Sequence, residues 1–133
     1  MTHVLDAYAL TAYFEKEPGY AKVQGLLTEA ASSGHRLLLS AVNWGEVFYV
    51  TYREHGKNAA DQIARVMDEF PLEIVSVDVP IAHQAAIYKA THKMSYAHCL
   101  AAALAKSRKA TLVTGDRDFK QVEGEIKIHW LVE

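Results

Sequence analysis

The sequence holds a single cysteine, Cys99, and only three prolines, Pro18, Pro71 and Pro80. One thiol excludes an internal disulfide and suits a reducing compartment, so a cytoplasmic location is expected. No run approaches the ~18 consecutive apolar residues that a membrane span needs, so no membrane partner is expected. The opening MTHVLDAYAL lacks a basic region followed by an apolar stretch and a cleavage site, and does not read as a signal peptide. Positive charge is not in excess either: 14 Lys and Arg face 16 Asp and Glu, for a formal net charge of −2. Bulk attraction for nucleic acid is thereby excluded, and any such contact must come from a local patch. Several catalytic signatures are missing as well. There is no G-x-S-x-G elbow, phosphate-binding GxxxxGK loop, GxGxxG after the first strand, HExxH or paired Cys/His pattern. Serine hydrolase, P-loop NTPase, dinucleotide enzyme and zinc-site readings therefore lack support. A phosphoacceptor receiver domain would want paired acids after the first strand and a lysine after the last, and has neither.

What is present is a chain of 133 residues, half of them hydrophobic, sized for one domain over 1–133 with a sizeable core. No repeat or low-complexity linker interrupts it. His3 to Leu5 reads as a short strand, and Ala7 to Glu15 as a helix. Pro18 suits the first turn of a second helix running to about Ser32, with Gly34 ending it. RLLLS, Arg36 to Ser40, is an apolar run of strand length. Helices are expected from Ala41 to Glu54 and, with Ile63, Val66, Met67 and Phe70 at helical spacing, from Lys57 to Phe70. Leu72 to Val77 is rich in β-branched residues and reads as a strand. Pro80 to Lys93 and the alanine-rich Ser95 to Lys109 read as helices. Ala110 to Thr114 and Ile126 to Leu131 read as the last strands, with a helix expected between them. This alternation predicts an α/β three-layer sandwich: a mostly parallel sheet of about five strands with helices on both faces.

In such sheets, sites form at the carboxyl ends of the strands. Asp6 ends the first strand, and Asp116 follows the fourth after Thr114 and Gly115. Glu46 lies one to two turns into the helix after the second strand, and helical side chains lean toward the N-terminus. Three carboxylates from distant segments thus converge, a donor set suited to Mg²⁺ or Mn²⁺. Asp118 is near enough to Asp116 to act through water or from behind it. Each acid also has a plainer reading. Asp6 and Asp116 fit turn formers or helix N-caps, Glu46 fits a capping box with Asn43, and Asp118 fits a solvated turn. Only the combination points to a metal site. Thr114 and Asn43 can hydrogen-bond a ligand carboxylate or a water, and Arg117, beside Asp116, is the candidate for touching phosphate.

These residues resemble the PIN-domain nucleases. VLDAYAL is similar to the family's opening motif, SAVNWGEV to its second, and MSYAHCLAAALAKSRKATLVTGDRDF to its third and fourth, in order and across the whole chain. Within the family the likeness is to the VapC-type toxins of toxin–antitoxin pairs. The resemblance implies a metal-dependent ribonuclease that hydrolyses RNA phosphodiester bonds through Asp6, Glu46 and Asp116, with a homodimeric state and an antitoxin partner that blocks the acidic cleft. One departure is marked. The family's alanine-rich helix usually carries an aspartate in its first turn, and the matching residue here is His98.

Three readings are open at His98. It is a neutral imidazole ligand, and the site favours a metal that accepts nitrogen. It weakens metal binding and cripples the nuclease. Or it was introduced to silence a toxic enzyme. The second and third leave an alternative function, a non-catalytic PIN-like module that binds antitoxin or RNA. Cys99, next in sequence, reads as core. The aromatics Trp44, Phe48, Tyr49 and Tyr52 read as core or as a homodimer face, with base stacking as the other option.

Overall fold

The structure is a computed structural model that describes residues 1–133. Five strands form one sheet: β1 (His3–Leu5), β2 (Leu37–Ser40), β3 (Leu72–Val75), β4 (Thr111–Thr114) and β5 (Ile128–Trp130). Their order is β3-β2-β1-β4-β5, and every neighbouring pair is parallel. The six α-helices are α1 (Ala7–Phe14), α2 (Tyr20–Ser33), α3 (Ala41–His55), α4 (Lys57–Glu69), α5 (Val79–Thr91) and α6 (Tyr96–Ser107). A 3-10 helix, Arg117–Val122, links β4 to β5. No helix is long and apolar enough to cross a membrane.

The pleat explains why the central strands are apolar on both faces, since successive side chains point to opposite sides. Val4, Leu38 and Leu112 join one core cluster with α5 and α6, whereas Leu5, Leu39 and Val113 join another with α1 to α4. A fully buried side chain of this kind contributes roughly 1.5–3 kcal/mol. Helix α6 is buried without interruption from Cys99 to Ala105. Its alanines keep helix propensity high while letting the backbone approach the sheet closely.

Helices α1 to α4 cover one face while α5 and α6 cross on the other, so the winding reverses between β1 and β4. Crevices open at the carboxyl ends of strands at such a reversal. Asp6 and Asp116 stand on its two sides.

Several boundaries depart from expectation. Pro18 does not enter the second helix; it lies in a turn, and Gly19 caps α2 with φ of 99°. A Cβ on Gly19 would meet Leu131 at 2.9 Å, so the chain's last segment packs against this turn and favours glycine there. Strand β3 stops at Val75 rather than Val77 because its only neighbour, β2, ends with the Ser40–Val75 pair. The helix expected between β4 and β5 is the short 3-10 segment.

Candidate metal centre

Asp6 caps α1, and its Oδ1 accepts from the Ala9 N–H at 2.9 Å. Its Oδ2 accepts from the Thr114 hydroxyl at 2.5 Å, across the β1–β4 boundary. Thr114 Oγ1 in turn accepts from the Asp116 N–H at 3.0 Å. One buried hydroxyl therefore ties both aspartates together. Asp6 is 1% exposed. Burial pushes its carboxyl from 3.8 up to about 7; the bonds from Thr114 and Ala9 oppose this, and the charges of Asp116 and Glu46 add to it. Asp6 is joined to Asp116 through Thr114, and Glu46 and Asp116 line one cleft.

Glu46 is half-buried on α3. The cap of that helix is Ser40, whose Oγ accepts from the Asn43 N–H at 3.0 Å. The capping-box reading of Asn43 and Glu46 is therefore corrected, because Asn43 sits inside the helix. The Asn43 amide instead donates to Glu46 Oε1 and to the Ala97 carbonyl, both at 3.3 Å, while its Oδ1 accepts from Ser40 at 2.7 Å. Asn43 and Thr114 are each fully buried. Both hydrogen-bond carboxylates from within the core and do not reach the surface.

Helix α6 begins at Ser95, whose Oγ accepts from the His98 N–H at 3.2 Å. This cap aims the His98 ring at the acids. Nε2 lies 3.3 Å from Asp116 Oδ2 and Nδ1 lies 3.7 Å from Asp118 Oδ2. Ligand atoms of His98, Asp116 and Asp118 all fall within 4.8 Å of one another. His98 Nδ1 is buried without a hydrogen-bond partner, and Phe119 packs against the ring at 4.8 Å between centroids. Asp118 is thus the third member of this group and the most exposed of the three. Asp116 also caps the 3-10 helix by accepting from the Asp118 N–H at 2.9 Å. The plain cap reading of Asp6 and Asp116 therefore holds.

Glu46, His98 and Asp116 line a cleft of about 210 Å³ together with Tyr8, Thr11 and Val50. Tyr8 was not anticipated. Its signal is positional: it stands in the first turn of the helix that Asp6 caps, at the mouth of the crevice. Its ring lies across Gly115, where a Cβ would collide with it, so a larger residue there would have to displace the ring. Arg117 is exposed beside Asp116 but faces a second concavity, shared with Lys120 and Trp130. Cys99 is buried, and burial pushes its thiol pKa up, which suits packing and opposes a nucleophilic role.

A crevice of four acids and one imidazole is a donor set for hard or borderline divalent cations. The fit is supported by the orphaned His98 nitrogen and by the raised Asp6 carboxyl, both of which a cation would relieve.

Residues 3–125 match the sequence model of the PIN domain family. No curated protein matches the sequence. Solved structures of similar fold include VapBC2 from Rickettsia felis bound to a promoter DNA fragment, with a TM-score of 0.75 and 16% identity over 97% of this chain and 98% of that one. FitAcB from Neisseria gonorrhoeae gives 0.74 and 16% over 98% of both chains. VapC20 from Mycobacterium tuberculosis, described as a toxin cleaving the sarcin–ricin loop, gives 0.72 and 15% over 91% of this chain and 95% of that one.

Proposed function

The chain belongs to the PIN domain family, and on that premise we propose that it is a metal-dependent ribonuclease, the toxin of a toxin–antitoxin pair acting in the cytoplasm. The observation that carries this reading is the convergence of Asp6, Glu46 and Asp116 on the β1–β4 crevice, with His98 and Asp118 beside them. Several neighbours of like fold are toxin–antitoxin complexes, which supports a cognate antitoxin as partner. Tyr49 and Tyr52, exposed on α3 beside the stacked Trp44 and Phe48, support a homodimer face.

Asp6, Glu46, Asp116 and His98 would hold a Mg²⁺ or Mn²⁺ ion, with Asp118 at its edge. Bound there, the cation supplies charge neutralisation at phosphorus and acidifies water for attack. The rest is performed by the chain's own groups. Thr114 fixes Asp6 and the backbone of Asp116 relative to each other, so neither carboxylate needs reorganising when substrate arrives. Asn43 holds Glu46 from behind in the same way. Asp6 stores a proton near neutrality in the metal-free state, so loading the site releases it. The cleft wall of Tyr8 and Val50 narrows the access of bulk water.

One observation favours a second reading. The His98 ring, set between Asp116 and Asp118, supplies those acids with a partner of their own and lowers their need for a cation. In that case the chain is a non-catalytic module that keeps its antitoxin or RNA surface.

Cleavage of a single-stranded RNA in Mn²⁺ and in Mg²⁺ separates the two. We expect the chain to cut with Mn²⁺ and to stop in EDTA. Loss of a ligand in Asp116→Ala should cost at least about a hundredfold, the equivalent of a few kcal/mol of charge stabilisation. His98→Asp should raise activity in Mg²⁺. If neither the chain nor His98→Asp cuts while both bind metal, the ribonuclease reading fails.

A further inference from the structure

A chain with a net charge of −2 and a crevice of carboxylates must still bring in a polyanion. The carboxyl edge holds an answer next to Asp116. Arg117, Lys120 and Trp130 line a concavity of about 210 Å³ that also includes Gly115, Val132 and Glu133. Neither cation is engaged in an ion pair: no carboxylate oxygen lies within 4.0 Å of Arg117 or Lys120. The indole is held by one hydrogen bond, from Trp130 Nε1 to Glu123 at 2.7 Å, and the strand that carries it by another, from Lys22 to the Trp130 main-chain carbonyl at 3.2 Å. The Lys120 ammonium stands 5.8 Å from the ring centroid. Tyr8, which lines the acidic cleft, lies on Gly115, which lines this concavity. One tyrosine ring is thus the ridge between the two.

We propose that the Arg117–Lys120–Trp130 concavity is a nucleotide subsite that seats the residue of single-stranded RNA adjoining the scissile phosphate. This rests on the ribonuclease reading and adds where the strand lies. Two cations without a carboxylate partner suit backbone phosphate, and an indole anchored at Nε1 suits a base, because stacking accepts any base and loses little entropy when the ring is already held. The strand crosses the Tyr8 ridge, with one phosphate at the acids and the next nucleotide on the basic side. An acidic protein thereby recruits RNA through one local patch rather than through its overall field.

The test uses the full chain and a labelled single-stranded oligoribonucleotide. Binding is followed by anisotropy in EDTA, and cleavage in Mn²⁺. We expect Arg117→Ala/Lys120→Ala to weaken binding about tenfold or more. It should also make the dependence of log affinity on log salt shallower by about 1.4, or about 0.7 for each phosphate that a side chain no longer neutralises on a single strand. Trp130→Leu should weaken binding about tenfold, and Trp130→Phe less, because a ring remains to stack. In cleavage, the effect should fall on KM more than on kcat. Unchanged affinity and salt slope in the double variant overturn the subsite, including the outcome in which the concavity serves a protein partner instead. If the variants lose binding but no metal supports cleavage in any form, the subsite stands and the nuclease reading falls. If the wild type cuts and the variants bind and cut like it, the reverse holds. If the wild type neither binds nor cuts RNA, both fall.

Discussion

The two edges of the sheet both carry charge, but they hold it differently. At the carboxyl edge the acids are built in. Of the five buried polar residues, Asp6, Ser40, Asn43 and Thr114 cluster there, and only Thr111 lies at the other end. Each bonds to another or to backbone around the crevice. At the amino edge the charge is basic and loose: Arg36, Lys109 and Lys127 are exposed just before strand starts, and Lys106 and Arg108 at the end of α6. Two of them meet surface glutamates, Arg108 with Glu73 at 3.5 Å and Lys106 with Glu125 at 3.6 Å. Burying polar groups costs free energy that a fold recovers only by satisfying them. The carboxyl edge therefore marks where this protein tolerates instability for chemistry, and the amino edge is ordinary solvated surface.

The sharpest way to break that contrast is to remove the cost. Asp6 has a native pKa of about 7 against ~3.9 when unfolded. Between those values the native state holds the extra proton, so stability is full below about pH 4 and falls as pH rises through about 7. The loss reaches about 4 kcal/mol in the metal-free protein. Asp6→Asn should abolish that slope and raise the Tm in EDTA at pH 8, while abolishing stabilisation by Mn²⁺. Thermal unfolding of both proteins at pH 5 and pH 8 checks this. Parallel pH profiles would remove Asp6 as the source of the strain.

A smaller effect should come from Thr114→Val. It keeps the shape but removes the donor to Asp6 and the acceptor for the Asp116 N–H. We expect about 1–3 kcal/mol of lost stability and about a 10–100-fold loss of metal affinity, as for other groups that orient ligands. Calorimetric titration with Mn²⁺ reads the second number directly. Unchanged affinity would mean that Thr114 serves only the β1–β4 joint.

How far this edge is legible from sequence depends on the range of the contact. Strands β1, β2 and β4 read out because parallel strands buried on both faces are uninterrupted apolar runs, as in LLLS and TLVT. Asp6 and Asp116 read out because a strand's end is a local feature. Asn43 and Thr114 read out as donors too, but their distant partners did not. Asn43 reaches Ala97 across 54 positions and Thr114 reaches Asp6 across 108, and no local pattern encodes such pairs. Gly115 and Gly19 leave room for distant side chains, Tyr8 and Leu131 respectively. Pro18 misled because its fixed φ suits a helix start equally with the turn that Leu131 imposes.

The amino edge should yield the smallest effect of all. Arg108 and Glu73 are both about half exposed, and they meet at a single point, 3.5 Å apart. A solvated pair gains little Coulomb energy and loses side-chain entropy in forming. Arg108→Ala should therefore change stability by less than about 0.5 kcal/mol, and about 0.5 M salt should erase even that. Metal affinity and RNA cleavage should match the wild type. A drop in RNA affinity on this substitution would instead make the amino edge part of the RNA path. The strand would then have to wrap from one end of the sheet to the other, which a single patch beside Asp116 does not require.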